Sequence, residues 1–245
     1  MIPPQNVELL SFPGPDALAA AAASAWVDEV ESANRAGKSY SVALSGGRIT
    51  EKFFISTAEK ALARKVSFGR IHFFWADERC VPPDDPESNY KLADDLLFEP
   101  LKISDAQIHR LRGELPPEEA VAKANSEIAG IVKNESGQVV LDLIHLGMGE
   151  DGHVASLFQN AWPEAQKDAK CNEPFIFVPN SPKPPPRRIS LSYKAIIAAR
   201  RVWVLASGAG KEDALKKSLS GDGQLPLGQV IKNRKKTNFF TDIQV

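Results

Sequence analysis

Short apolar runs alternate along this chain with longer stretches of helical spacing. Runs near 7–12, 40–44, 71–75, 141–146, 175–178, 188–191, 201–206 and 238–241 are of strand length and end in polar or glycine breaks. Helical periodicity occupies residues near 50–64, 88–98, 117–134 and 211–219. The alanine-rich stretch Ala17 to Val27 reads as an amphipathic helix that starts near Asp16 and stops around Gly37. Alternation on this scale predicts an α/β fold with three αβα layers, a doubly wound and mostly parallel sheet carrying helices on both faces. Pro182-Lys183-Pro184-Pro185-Pro186 is the strongest linker candidate, but strand-like sequence resumes at Arg188. It reads as a stiff surface loop inside one domain covering 1–245.

Three of the predicted strands end in unusual chemistry. Leu141 to Leu146 empties into Gly147-Met148-Gly149-Glu150-Asp151-Gly152-His153. The glycine spacing satisfies the dinucleotide fingerprint formally, but that motif needs a long helix after its third glycine. Here Gln159, Asn160 and Pro163 turn the chain polar within a few residues. Asp151 as a simple helix cap leaves the adjacent histidine unexplained. A histidine at the start of a short helix would feel the positive end of its dipole and stay neutral, able to accept a proton. Asp151 could orient its ring and stabilise the cation formed on proton transfer. No G-x-S-x-G nucleophile elbow is present, so water is the simplest nucleophile.

Residues 39–44 lead into Ser45-Gly46-Gly47-Arg48 ahead of a helix. This is either a tight turn or a place where backbone N–H groups meet an anion at a helix start, and it is not a P-loop. Ile71 to Trp75 ends in Ala76-Asp77-Glu78-Arg79-Cys80, three charged groups at a sheet edge where burial without partners would be costly. All three segments share the carboxyl edge, where open α/β sheets bind ligands.

From the Ser-Gly-Gly loop through Asp77-Glu78-Arg79, Ser88-Asn89-Tyr90 and Gly147-Met148-Gly149 to Asp151-Gly152-His153, the chain resembles the 6-phosphogluconolactonases. The likeness continues through Ala155-Ser156-Leu157-Phe158, Arg188 to Ser192 and Ala198 to Lys211. These enzymes belong to a larger group that includes glucosamine-6-phosphate deaminase. The resemblance implies a Rossmann-like sugar-phosphate isomerase fold and hydrolysis of 6-phosphoglucono-δ-lactone in the oxidative pentose phosphate pathway, without metal or organic cofactor. It implies His153 as general base on water, Asp151 as its partner, and Arg79 as a substrate ligand that offsets oxyanion charge. Gly46, Gly47, Arg48, Arg188 and Lys211 would surround the phosphate, with Ser45 and Asp77 also at the substrate. Backbone N–H groups between Gly147 and Gly149 would form an oxyanion hole.

The chain departs from that pattern at Arg48-Ile49-Thr50, where Ser-Thr-Pro commonly follows Ser-Gly-Gly. Deaminases carry a glutamate where Phe158 stands and tend to carry tyrosine in place of Arg79. Phe158 cannot transfer a proton, which favours the lactonase reading over a deaminase. A non-catalytic sugar-phosphate sensor should lack the acid and the histidine, and both are present.

Composition narrows the partners. With 245 residues and 43% hydrophobic content the chain can bury a substantial core, and a net charge of −1 gives no electrostatic case for nucleic acid. Cys80 and Cys171 are too few for a disulfide framework and lack zinc-ligand spacing, so a reducing cytoplasm is the expected setting. Residues 1–6 have no signal-peptide character, and the alanine-rich helix is too short to span a bilayer. A small-molecule sugar-phosphate lactone is the expected partner, with the chain a monomer or weak homo-oligomer. His72, His109 and His145 read as structural, and the basic run Lys232 to Lys236 as a solvated loop.

Overall fold

The computed structural model describes residues 3–133, 136–159, 173–221 and 223–244. Cys171, Asn160 and Pro163 lie outside them. Six parallel strands form the main sheet: β1 (Val7–Ser11), β2 (Tyr40–Leu44), β3 (Ile71–Trp75), β5 (Leu143–Gly147), β8 (Arg201–Ala206) and β9 (Thr237–Thr241). Their order is β1-β9-β8-β5-β2-β3, with every pairing parallel. β2 is buried at all five residues, as befits a central strand covered on both faces, whereas edge strand β1 leaves alternate positions open.

The order sets the location of the site. From β2 the chain crosses outward to β3 at one edge, then returns to β5 on the other side of β2 and proceeds to β8 and β9. The loops after β2 and β5 therefore diverge, and the crevice between them lies at a topological switch point.

Two predicted strands leave the main sheet. β6 (Phe175–Val178) and β7 (Arg188–Leu191) pair antiparallel, and β7 pairs antiparallel with β4 (Asp77–Arg79) in a separate three-stranded sheet. The proline-bearing connection between β6 and β7 is too short for the crossover that parallel pairing requires.

Helices α1 (Pro15–Arg35) and α2 (Arg48–Arg64) lie near their predicted positions. The 88–98 segment is less regular than its pattern: α3 (Asn89–Ala93) runs through a π turn (Asp94–Phe98) into α4 (Glu99–Leu101). α5 (Pro117–Ile131) and α7 (Glu212–Leu219) are slightly shorter than expected. Two further helices, α6 (Tyr193–Ala198) and α8 (Pro226–Lys232), are too short for periodicity to reveal. No described helix is long and apolar enough to cross a membrane.

One residue of the basic run is not solvated. Arg234 is buried, and its Nη1 donates to the carbonyls of Ile196, Ile197 and Ala199 at 2.8, 2.7 and 2.9 Å, closing the C-terminal end of α6. Burial draws its pKa down to about 10. His72 and His109 are structural as expected: His72 Nδ1 meets His109 Nε2 at 3.0 Å, and His109 Nδ1 meets Glu127 of α5 at 2.8 Å.

His145, on β5, sits edge-on to Trp26 and Phe53, each 4.7 Å away between ring centroids, and neither ring nitrogen has a hydrogen-bond partner among the described residues. Burial holds its pKa at about 3, against 6.5 for the free side chain. The unfolded chain therefore binds a proton here between pH 6.5 and 3 that the folded chain refuses, so this group removes stability as pH falls through that window. Glu78 acts in the opposite sense between 4.5 and about 7, because burial raises its folded pKa. The His145 contribution should amount to about 2 kcal/mol at pH 5. His145→Phe should consequently lose less thermal stability than the parent protein between pH 7.5 and 5. An equal loss in both would show that His145 is not buried neutral.

Candidate active site

The loops after β2, β4, β5 and β8 enclose a cavity of about 340 Å³. Ser45, Gly46, Gly47, Arg48, Asp77, Arg79, Gly147, Gly149, His153, Arg188 and Lys211 all line it. Asp151 stands behind His153 rather than on the wall, and reaches the cavity only through that ring.

His153 Nδ1 lies 2.5 Å from Asp151 Oδ1. Burial raises the Asp151 carboxyl, but the hydrogen bond and charge of His153, with Lys183 behind them, outweigh it and hold the pKa at about 2. A carboxylate can only accept, so Nδ1 carries a proton, and in the neutral ring the lone pair is on Nε2. On its other flank the His153 ring meets Phe158, with centroids 4.6 Å apart. Gly149 leaves the room for this dyad: a Cβ there would lie 2.0 Å from His153 Nδ1 and 2.6 Å from Asp151 Oδ1.

Two details differ from expectation. No described helix starts at His153; the chain makes a tight turn there, closed by Leu157 N–H to the Val154 carbonyl at 3.0 Å. Asp151, not a helix dipole, fixes the tautomer and orientation of the ring. The Gly149 N–H donates to the His153 carbonyl at 3.0 Å and is not free to serve an oxyanion.

Opposite, Gly47 (φ 104°) caps the 17-residue helix α2 with no side-chain cap. The first turn of a helix presents unpaired N–H groups and partial positive charge. Arg48 and Lys211 have no carboxylate within ion-pair distance among the described residues, whereas Lys52, one turn into α2, is paired with Asp16 at 2.6 Å. The Lys211 pKa is lowered, first by burial and then by the Arg48 charge, against the pull of Glu150. Two cations and a helix start facing one hollow are mutually repulsive without an anion between them.

Arg188 reaches the cavity with most of its donors engaged. Nε donates to the Pro185 carbonyl at 3.0 Å, and Nη2 to those of Lys183 and Pro184 at 3.2 and 3.1 Å. Nη1 lies 3.4 Å from Ser156 Oγ and 3.8 Å from Asp77 Oδ2. This buried guanidinium therefore pins the proline loop and faces Asp77, leaving at most an Nη1 hydrogen for a ligand. Arg79 is freer: Nη1 donates to the Glu87 carbonyl, and Nη2 has no partner among the described residues.

Two positions that support the cavity wall had no partner assigned from the sequence. Asp242 accepts from Ser207 Oγ at 2.7 Å and from Gly208 N–H at 3.2 Å, and so fixes the loop that carries Lys211. Glu78 accepts from the N–H groups of Arg79, Asn89 and Tyr90, each at 2.8 Å, and from Ser88 Oγ at 3.1 Å. Despite these donors burial lifts its pKa to about 7. Ser88-Asn89-Tyr90 was visible as a motif, but nothing local showed that it folds onto the strand end at Glu78. Asp242 gave no signal.

The family model for glucosamine-6-phosphate isomerases/6-phosphogluconolactonase matches residues 13–239. The chain belongs to this family. Its relatives include a 6-phosphogluconolactonase of Streptomyces coelicolor, 34% identical over 215 residues that cover 85% of this chain and 81% of the relative. Another, of Haemophilus influenzae, is 37% identical over 71% of each chain. The crystal structure of the 6-phosphogluconolactonase of Thermotoga maritima superposes with a TM-score of 0.76, at 29% identity over 96% of this chain and 98% of that one. Membership accounts for the α/β architecture.

Proposed function

We propose that the protein hydrolyses 6-phospho-D-glucono-1,5-lactone to 6-phospho-D-gluconate, as one α/β domain in a reducing cytoplasm. The observation that carries this reading is the Asp151–His153 dyad at one cavity with the cations Arg48 and Lys211, which have no carboxylate partner among the described residues. His153 Nε2 takes a proton from water as the water oxygen attacks the lactone carbonyl carbon. Asp151 stabilises the imidazolium, and Arg79 Nη2 offsets the charge on the tetrahedral oxygen. Collapse breaks the bond from the acyl carbon to the ring oxygen. The imidazolium returns its proton to that oxygen, and the new carboxylic acid ionises. The phosphate sits at the start of α2 against Arg48 and Lys211.

The deaminase alternative is weaker. Phe158, packed on the His153 ring, occupies the place where that branch has a glutamate. Purified protein added to freshly made 6-phosphogluconolactone should accelerate acid release over buffer. No acceleration, with ammonia released from glucosamine 6-phosphate instead, would transfer the protein to the deaminase branch.

Lys211→Ala tests the phosphate end. Losing one charge-assisted contact should cost roughly 1.5–3 kcal/mol, or about one to two decades in KM, with kcat nearly kept because the phosphate is remote from the ester. Hydrolysis of unphosphorylated gluconolactone should be unaffected. Arg188→Ala should impair both substrates, since it frees the proline loop and strands Asp77. A Lys211→Ala loss shared equally by the two substrates would remove the phosphate site from this end.

A further inference from the structure

Asn89 stands on the cavity wall. The residue is 3% exposed, and two of its polar groups are fixed by the protein. Its backbone N–H donates to Glu78 Oε1 at 2.8 Å, and its Nδ2 donates to the Asp77 carbonyl at 2.9 Å. That second bond settles the amide orientation, because the flipped side chain would set an oxygen against a carbonyl. Oδ1 is left facing the Gly46 turn: a Cβ at Gly46 would lie 1.9 Å from it. Among the described residues no donor reaches Oδ1. Beside it, Asp77 has Oδ2 engaged by Ser156 Oγ at 2.6 Å, with Oδ1 likewise unpartnered.

Two uncommitted acceptors on a wall otherwise furnished with cations cannot bind phosphate oxygens, which also only accept. They suit O–H donors. Resting on the lactonase reading, we propose that Asn89 is a specificity-determining residue whose Oδ1 accepts a hydrogen bond from a ring hydroxyl of the sugar lactone, with Asp77 as the neighbouring acceptor. Glu78 acts behind it as a positioning residue, because its carboxylate gathers the N–H groups that seat Ser88 to Tyr90 against the strand end. This acceptor pair would distinguish the lactone of the proposed reaction from its deoxy analogues. A site built to receive a hydroxyl rejects the analogue that lacks it, since its own polar group is then left unpaired.

The test measures kcat/KM on 6-phosphogluconolactone and on its 2-, 3- and 4-deoxy analogues, for wild type and Asn89→Ala. Wild type should lose about ten- to a hundredfold on one deoxy lactone. Asn89→Ala should lose a similar factor on the parent lactone and show no further loss on that same analogue. Gly46→Ala, whose methyl would displace Oδ1, should shrink the same ratio of parent to deoxy rates. Wild type that tolerates all three deletions overturns the proposal without any variant. So does an Asn89→Ala that folds, judged by circular dichroism, but discriminates as wild type does. If wild type hydrolyses no phospholactone at all, the lactonase reading falls and this inference with it. Hydrolysis of the parent with indifference to every hydroxyl removes Asn89 alone.

Discussion

His153→Ala should fold as the parent does and lower kcat by about two to four orders of magnitude, the usual worth of a positioned general base. The geometry carries this expectation in three parts. Asp151 is held ionised at about 2, so it can only accept the Nδ1 proton, and in the neutral ring the lone pair is on Nε2. No second imidazole lines that wall: His72 and His109 pair with each other, and His145 is sealed among aromatic rings. Asp151→Asn should cost less, about one decade, because the amide oxygen can still orient the ring while the charge that stabilises the imidazolium is gone. Steady-state rates on folded protein decide the matter. Activity within a few fold of wild type would remove water activation by His153 from the mechanism.

Gly149→Ala should be nearly as damaging, although it adds a single methyl group and deletes nothing. The added carbon would fall 2.0 Å from His153 Nδ1, 2.1 Å from Cε1 and 2.6 Å from Asp151 Oδ1, inside the contact the dyad makes. His153 has no room to retreat, because Phe158 packs on its ring and its own carbonyl is tied to the Gly149 N–H. The ring or the turn must shift by an ångström or more, and a misplacement of that size costs on the order of a hundredfold in rate. Binding of the product 6-phosphogluconate should change little, since Arg48, Lys211 and the start of α2 are untouched. The check is kcat beside the dissociation constant for product. A variant with near-normal kcat would mean that the dyad is not held as the structure places it. Loss of product binding together with rate would point to collapse of the whole loop.

Much of this site was legible in one dimension. A strand that empties into glycines, followed two residues apart by an acid and a histidine, specifies a turn and an ion pair through local geometry, so Asp151 and His153 could be paired from spacing. Gly46-Gly47 ahead of a helical pattern marks an anion-tolerant helix start for the same reason. The fold class was legible because strand and helix periods alternate, and each period reports which face of an element is buried. Other features depend on contacts between residues far apart in the chain. The order of β2 and β5 creates the crevice, and no property of either strand announces its neighbour. The branching of β6 and β7 into a second sheet follows from pairing with Asp77–Arg79, about a hundred residues earlier. Arg188 looked like a free cation and proved to be committed to carbonyls of the proline loop. Asn89, Glu78 and Asp242 acquire their roles only where another segment supplies the partner. Local sequence therefore determined which turns, helix starts and ion pairs could form. Tertiary packing decided which charges meet and which are spent, because burial and hydrogen-bond satisfaction are properties of the assembled surfaces.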